Sequence, residues 1–264
     1  MDGARSVLAK SNQDPTTPGG QPAGDVQKAK GAPTAGYTPL RASRYERKFR
    51  VEELTLQHVL GILRLHPQMF YAPYPPRYVN NAYLDTADLE NYTDNVCGAA
   101  CRRKVRVRWY GEFSGTITRS ILEFKVKEGL VGGKHSYPLN GFCLDTTFGN
   151  RTLQRIFADS ALAARVREEV RTMQVVLLNR YYRHYFATQD GRFRVTVDSE
   201  IAFYRANGAF GNSLVHRQFD WRNIVVELKY DVAQELAAGR VASFFPFRVT
   251  RNSKYVQGME RVYF

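Results

Sequence analysis

The sequence predicts an α+β fold in which antiparallel strands close into a barrel around a basic interior, with helices on the outside. The first observation is residues 101–110, CRRKVRVRWY, where every second residue from Arg102 to Arg108 is a cation. The second is that other segments repeat this alternation of ionisable and apolar residues, which is typical of strands with two unlike faces. The third is that apolar residues at helical spacing lie between these segments. If helices cover the apolar faces, the charged faces line a common interior, as in a barrel.

Five strands carry such a charged face, and four of them lie outside residues 101–110. Their ionisable residues are Arg44-x-Glu46-x-Lys48, Glu123-x-Lys125-x-Lys127, the alternate positions from Arg192 to Glu200, and Glu227-x-Lys229. A solvated edge strand protected by charge would explain one such segment, but not five. Parallel strands that are buried on both faces are continuously apolar, so the alternation favours an antiparallel sheet.

The other elements follow from periodicity and from turn residues. Strands are predicted at about 43–51, 79–85, 101–110, 117–127, 134–138, 174–188, 192–200 and 223–230. Helices are predicted at about 52–65, 86–95, 233–238 and 253–261, and as two segments within 150–172. Pro67 follows the first helix, and Asp190-Gly191 is a strong hairpin signal. Gly129, Gly132 and Gly133 predict a turn after the 117–127 strand.

Composition predicts a disordered tail at residues 1–42, rich in Gly, Pro and Ala, and a folded domain at 43–264. The formal net charge is +13, which implies an anionic partner such as a nucleic acid, a membrane surface or a phosphorylated molecule. Nucleic acid is disfavoured, because the cations alternate with strand core rather than with exposed aromatic residues.

The sequence has neither an apolar run of about 20 residues nor the apolar segment of a signal peptide. Cys97, Cys101 and Cys143 are three cysteines in the whole chain, which indicates reduced thiols in a cytoplasm. Cys97 and Cys101 have no second Cys/His pair at ligand spacing, so a zinc site is not expected. We therefore expect a cytoplasmic protein.

Six motifs, in order along residues 43–262, resemble the vacuolar transporter chaperone (VTC) domain, a branch of the CYTH-like triphosphate tunnel metalloenzymes. They are Arg44–Phe49, Tyr83–Thr86, Arg106–Gly111, Leu122–Lys125, Val226–Tyr230 and Ser253–Gly258. The resemblance implies a closed eight-stranded antiparallel tunnel with a basic lumen. It also implies a polyphosphate polymerase, a phosphotransferase that moves the γ-phosphate of ATP to growing inorganic polyphosphate with Mn²⁺ or Mg²⁺. ATP and polyphosphate are then the expected partners, and a separate membrane-protein partner at the inner face of a membrane is left open.

The resemblance further implies roles for individual residues. The residues implied to be catalytic are Lys48, Arg106, Arg108, Lys125 and Lys254. Those implied to bind substrate are Lys104, Lys134, Arg183, Lys229 and Ser253, and those implied to hold the metal are Glu227, Glu46, Glu123 and Asp198. These residue types suit phosphoryl transfer, which needs positioning and neutralisation of oxygen charge more than a protein nucleophile.

Several alternatives stay open at this level. Arg180 and Arg183 differ by three positions, so only one of them can enter the interior. Asp198 and Glu200 are either metal ligands or internal partners for Arg192 and Arg194. Arg44 stands where related CYTH-type hydrolases usually have the first of two glutamates, which favours the polymerase branch. A tunnel triphosphatase acting on tripolyphosphate or nucleotides, and a non-catalytic polyphosphate-binding subunit, are the other two functions considered, and the oligomeric state is open.

Overall fold

A computed structural model describes residues 44–128, 131–206 and 216–264. The predicted tail, residues 1–42, lies outside the described residues, as does Gly129 of the predicted turn. Within them, a curled antiparallel sheet of eight main strands is flanked by six α-helices, which confirms the predicted α+β class. No helix in these ranges is long and apolar enough to cross a membrane.

The sheet follows the predicted strands closely. The strands are β1 Arg44–Val51, β2 Arg77–Asp85, β3 Cys101–Tyr110, β4 Gly115–Ile117, β5 Ser120–Glu128, β6 Val131–Leu139, β7 Phe142–Leu144, β8 Gln174–Ala187, β9 Phe193–Arg205, β10 Arg217–Asp220 and β11 Ile224–Asp231. The α-helices are α1 Leu56–Arg64, α2 Glu90–Cys97, α3 Asn150–Asp159, α4 Ala164–Arg171, α5 Glu235–Ser243 and α6 Lys254–Tyr263, with a 3₁₀ turn at Val232–Gln234. The main sheet has the order β1-β11-β9-β8-β2-β3-β5-β6, with β10 beside β9, and β4 pairs β7 in a separate ladder.

The sheet forms a half-barrel, so the prediction of a closed barrel was wrong. In the described residues, no backbone pairing joins β1 to β6. The reason lies at the free edge of β1, where Phe49 pairs with Val249 and the amide of Thr250 donates to the carbonyl oxygen of Lys48 at 2.7 Å. The chain segment that leads into α6 therefore occupies this edge of β1, and β6 does not pair with it. An ion pair of 2.8 Å between Glu46 and Lys125 spans from β1 to β5 instead.

Two apolar cores lie on the convex face of the sheet, where the alternation of residues predicted them. One packs β2, β3 and β5 against α3 and α4, with Trp109 and Phe157 fully buried at its centre. The other packs β1, β9 and β11 against α1 and α5, around Phe49 and Leu63. These helices cover the apolar faces, so the charged faces of the same strands turn to the concave side.

A third apolar core lies on the concave face, where α6 packs against β8 and β9. Tyr255 and Met259 of this helix are buried there with Leu177 and Phe203. Gly258 permits the close approach, because a Cβ at that position would lie 2.5 Å from Leu177 Cδ2 and 2.6 Å from Phe203 Cδ1. The helix therefore fills one half of the concave face and leaves the other half to charged side chains.

Three local predictions needed correction. Strand β9 continues to Arg205 instead of ending near Glu200, and the pairing of β8 with β9 shifts by one residue between Arg180 and Tyr182. Glu200 has a positive φ of 51° at this irregularity and accepts a hydrogen bond from the Tyr78 hydroxyl at 2.5 Å, so it leaves the charged face. Gly132, predicted in a turn, pairs with Lys127 as part of β6.

Candidate phosphate-binding site

The uncovered half of the concave face is a cavity lined by ionisable side chains, which we call the charged cavity. Its cations are Lys48, Lys104, Arg106, Arg108, Lys125, Lys134, Arg183, Lys229 and Lys254, and its carboxylates are Glu46, Glu123, Asp198 and Glu227. With Ser253, these are all the site residues that the family resemblance implied. The structure places them in two ion-pair clusters, one around Glu123 and one around Glu46, Asp198 and Glu227, and in the hydrogen bond between Lys104 and Ser253.

Glu123 of β5 organises the first of these clusters. Arg106 donates to its Oε2 through Nε at 2.8 Å and Nη2 at 2.7 Å, and Arg108 Nη1 lies 3.6 Å from the same oxygen. Lys134 reaches from β6 to bind Oε1. Burial raises the pKa of Glu123, but these three cations outweigh burial and hold that pKa well below its usual range. Glu123 therefore stays ionised and fixes both arginines in one orientation.

Asp198 and Glu227 organise the second cluster. Arg183 binds Asp198 through both Nε, at 2.5 Å, and Nη2, at 2.7 Å, and Lys254 of α6 binds Oδ2 at 2.5 Å. Glu227 contacts Lys229 at 2.8 Å and lies 3.8 Å from both Lys48 and Arg183. Burial raises the pKa of both carboxyls, yet the surrounding cations lower it below the ordinary value in each case.

Three lysines stand directly opposite one another on neighbouring strands. Lys104 of β3 pairs in register with Lys125 of β5, and Lys125 pairs with Lys134 of β6. Like charges at directly opposed positions destabilise a sheet unless an anion offsets them. Lys125 is offset by Glu46 and Lys134 by Glu123. Glu46 in turn contacts Lys48 at 3.1 Å, so Lys48 and Lys125 hold the pKa of Glu46 at about 2 although burial opposes them.

Lys104 is the lysine of this row with a hydroxyl as its hydrogen-bond partner. Its Nζ donates to Ser253 Oγ at 2.7 Å. Burial lowers its pKa, and repulsion from Lys48, Lys125 and Arg106 lowers it further, to about 7. Ser253 also caps α6, accepting a hydrogen bond from the amide of Val256. The N-terminus of α6, which favours negative charge, therefore opens into the charged cavity.

Uncharged polar residues that the sequence analysis did not select also support the site. Tyr181 is fully buried between cations: its hydroxyl accepts from Arg108 Nη2 at 3.2 Å, and Lys254 Nζ lies 4.8 Å from its ring centroid. Burial raises the pKa of Tyr181, but the neighbouring Arg108 and Arg183 lower it overall. Asn81 accepts from Arg108 Nε at 2.9 Å. The period-two register of β2 and β8 places both residues on the charged face, a signal that was available in the sequence.

The structure also decides the alternatives that the sequence left open. Arg183 enters the charged cavity, whereas Arg180 lies on the opposite face with its guanidinium 3.7 Å from the centroid of the Tyr78 ring. Asp198 is the partner of Arg183 and Lys254, and Arg192 pairs with Asp190 at 2.5 Å. Of the partners considered for Asp198 and Glu200, Arg192 binds Asp190 instead, and Glu200 binds the Tyr78 hydroxyl.

The carboxylates do not form a ready-made metal centre. In the three described ranges, no group of three or more His, Cys, Asp or Glu side chains is close enough to hold an ion. Glu46 and Glu227 nevertheless approach the same ammonium group, Lys48 Nζ, at 3.1 and 3.8 Å. Mg²⁺ and Mn²⁺ accept carboxylate oxygens and are often held by one or two carboxylates together with substrate phosphates. These two residues fit such a site.

Charge decides what kind of ligand the cavity suits. Among the described side chains named above, nine are cationic and four are acidic, which is an excess of five cationic groups. Several parallel rows of Arg and Lys offer planar forks and point charges to phosphate oxygens over an extended path. A curled antiparallel sheet with such a face suits an extended anion that carries several phosphates.

Comparison with known proteins identifies the family. The model of the VTC domain family matches residues 43–263, and the chain belongs to that family, as the six motifs predicted. A search of curated proteins finds no similar sequence. Among solved structures, a candidate adenylate cyclase from Vibrio parahaemolyticus is 14% identical with a TM-score of 0.46, over 82% of this chain and 98% of that chain. HpAC1 from Hippeastrum, described as a candidate adenylyl cyclase with a dominant triphosphatase activity, is 13% identical with a TM-score of 0.47, over 83% of this chain and 95% of that chain.

Proposed function

We propose that this chain is a polyphosphate polymerase that transfers the γ-phosphate of ATP to the end of an inorganic polyphosphate in the charged cavity. The observation that carries this proposal is the excess of cationic over acidic groups along the charged cavity, where Glu46 and Glu123 are each shared among several cations. A small anion would offset one or two of the excess charges. A linear polyanion that runs along the cavity offsets more of them.

Each group has a part in binding and positioning. Arg106 and Arg108, held in place by Glu123, present guanidinium forks to the transferred phosphoryl group. Lys254 and Lys48 face the same region from α6 and β1, and both contact Glu227. Lys104, Lys125 and Lys134 extend the cationic path, along which we place the polyphosphate acceptor.

The transfer needs no protein nucleophile. An oxygen of the terminal phosphate of the acceptor attacks the γ-phosphorus, the bond to the bridging oxygen of ADP breaks, and ADP leaves with that electron pair. The acceptor gains one phosphoanhydride bond, and the ATP loses one. The role of the cations is to hold both anions in line and to neutralise the charge on the oxygens during transfer. A divalent ion held by Glu46, Glu227 and the substrate would withdraw further charge from the phosphates.

The products made from ATP and Mn²⁺ test the proposal. We expect a long anionic polymer, visible by gel electrophoresis, and equimolar ADP. Arg106→Ala should reduce the rate about 100-fold or more, since loss of one preorganised charge-stabilising donor costs about 10²–10³ in turnover. Arg167→Ala, at an exposed position on α4, is the matched control and should leave the rate unchanged. Free phosphate without polymer would instead identify a triphosphatase, and binding without turnover would identify a polyphosphate-binding subunit.

A further inference from the structure

One end of the charged cavity is lined by aromatic rings and an arginine. Tyr110 ends β3 two residues after Arg108, and Tyr185 follows Arg183 in β8 at the same spacing. Arg77 begins β2 and stands directly opposite Arg183 in register, so the strand alternation places all three side chains on the concave face. Tyr74, from the loop before β2, meets the edge of the Tyr185 ring at 6.0 Å between centroids. We call Tyr74, Arg77, Tyr110 and Tyr185 the mouth.

The mouth presents flat surfaces to the solvent. The Arg77 guanidinium lies 4.0 Å from the centroid of the Tyr110 ring and 5.4 Å from that of Tyr185, and its Nε donates to the Tyr185 hydroxyl at 3.2 Å. Within the described part of the chain, these partners of Arg77 are rings and a hydroxyl, whereas Arg183 opposite it binds carboxylates. Tyr110 is 41% exposed and Tyr74 is 63% exposed, so both rings keep open area for a ligand.

The position of these rings indicates which part of a substrate they would contact. One step of two residues along a strand is about 7 Å, so the mouth lies one such step outward from Arg108 and Arg183. A group there is attached to phosphates bound further in. Inorganic polyphosphate would gain from Arg77 but has no flat face to offer the rings. A nucleobase has one, and it stacks on tyrosine and on the plane of an arginine.

We propose that the mouth binds the base of a nucleoside triphosphate, stacked on Tyr110 and Arg77, with the phosphates directed inward to Arg108 and Arg183. This rests on the proposed function, because it assumes that the cavity takes a nucleotide as phosphoryl donor. The mouth then distinguishes the donor from the inorganic acceptor. Stacking tolerates any base, so ATP and GTP should bind with similar affinity.

Two ligands measured on three proteins test this assignment. The ligands are the non-hydrolysable β,γ-imido analogue of ATP and inorganic tripolyphosphate, titrated by calorimetry. The proteins are the wild type, Tyr110→Leu, which keeps an apolar side chain at the strand end but removes the aromatic face, and Tyr45→Leu. Tyr45 is a matched control, since it is a similarly exposed tyrosine on β1 whose ring packs against Tyr230 on the other face of the sheet.

We expect Tyr110→Leu to raise the Kd of the ATP analogue about tenfold, in line with the loss of one stacking contact. Its Kd for tripolyphosphate should change by less than about twofold, and Tyr45→Leu should alter neither value. Equal weakening of both ligands would make the mouth part of the phosphate path and overturn the proposal. So would unchanged binding of the ATP analogue. If wild type binds tripolyphosphate but not the analogue, base recognition alone fails, whereas failure to bind either ligand overturns the proposed function as well.

Discussion

Lys104 is a cation of the cavity that donates a hydrogen bond to an uncharged partner, Ser253. Burial and repulsion from Lys48, Lys125 and Arg106 lower its pKa, and Glu46, a carboxylate that raises this pKa, is already bound to Lys48 and Lys125. In the ligand-free protein its pKa of about 7 is below the ordinary lysine value of 10.5. Between these two values the unfolded chain binds more protons at this position than the folded one. Stability should therefore rise with pH through that window on account of Lys104.

A polyanion should reverse this shift, which gives a first prediction. Phosphate oxygens favour the charged lysine, so binding raises the pKa of Lys104 and takes up close to one proton at about pH 8. The affinity for tripolyphosphate should accordingly fall as the pH rises above about 7 on account of this group. Calorimetric titrations in two buffers of different ionisation heat measure the uptake. Lys104→Arg, which is charged throughout, should take up close to one proton less; equal uptake by the two proteins would contradict the role given to Lys104.

Arg108 allows a second prediction at the residue scale. It is buried, and its guanidinium donates to Asn81 and Tyr181 while facing Glu123. Removing one hydrogen-bonding charged group from a bound phosphate costs about 1.5–3 kcal/mol, so Arg108→Ala should raise the Kd for tripolyphosphate about 10- to 100-fold. Isothermal titration gives this value, and circular dichroism checks that the variant is folded. Arg167→Ala should bind like wild type. An unchanged Kd in Arg108→Ala would make the basic strand β3 structural.

At the scale of elements, the sequence predicted what depends on local alternation. The cations of β3 and the apolar residues between them lie on opposite faces of the sheet. The alternation of side chains along a strand is enough to predict this. The irregularity at Glu200 could not be predicted in this way. A shift of one residue in the pairing moves all the following side chains of the strand to the other face. The choice between Arg180 and Arg183 likewise depends on which strand neighbours β8 and in which register.

The opening between β1 and β6 could not be predicted from strand patterns either. It results from a long-range competition in which Val249 and Thr250 take the free edge of β1. These residues are more than 190 positions away in the chain, and nothing in their sequence marks them as partners of a strand edge. The sequence analysis missed Tyr181 and the mouth for a simpler reason. Tyrosines in a strand are usually interpreted as part of the apolar core, but these tyrosines of the concave face lie beside cations.

Helix α6 depends on one small residue, which gives a third prediction. A Cβ at Gly258 would meet two side chains of the concave core at less than 3 Å, so Gly258→Ala should force a shift and cost about 1–3 kcal/mol of stability through overpacking. Gly239→Ala in α5 is the control, since its nearest atoms lie at 3.9 Å and Ala is the better helix former. Urea unfolding of both variants measures the difference. Equal stability of Gly258→Ala and wild type would mean that α6 does not pack tightly on β8 and β9.

For the folded part of the chain as a whole, charge and stability are linked. The named side chains of the charged cavity include more cationic than acidic groups, and in this partly desolvated space the repulsion among the cations is stronger than in water. The carboxylates Glu123, Asp198 and Glu227 keep the arginines and lysines in place but do not balance them. The ligand-free fold therefore carries an electrostatic cost that a bound polyanion removes. Chloride screens this repulsion only in part: Lys125 and Lys134 are exposed to solvent, but Arg108, Arg183 and Lys254 are buried, and buried charges are screened much less.

The fourth prediction follows from that cost. Tripolyphosphate at about 100 times its Kd should add roughly 2.7 kcal/mol by mass action, or about 5–10 °C in Tm for a domain of this size. Sodium chloride at equal ionic strength should give a much smaller shift. Arg108→Ala should lose about half of the shift or more at the same tripolyphosphate concentration, because its Kd is about 10- to 100-fold higher, while Arg167→Ala should keep the shift. Differential scanning fluorimetry of the three proteins measures these shifts. If chloride stabilises wild type as much as tripolyphosphate does, the repulsion is a general property of the surface, and the charged cavity is not a phosphate site.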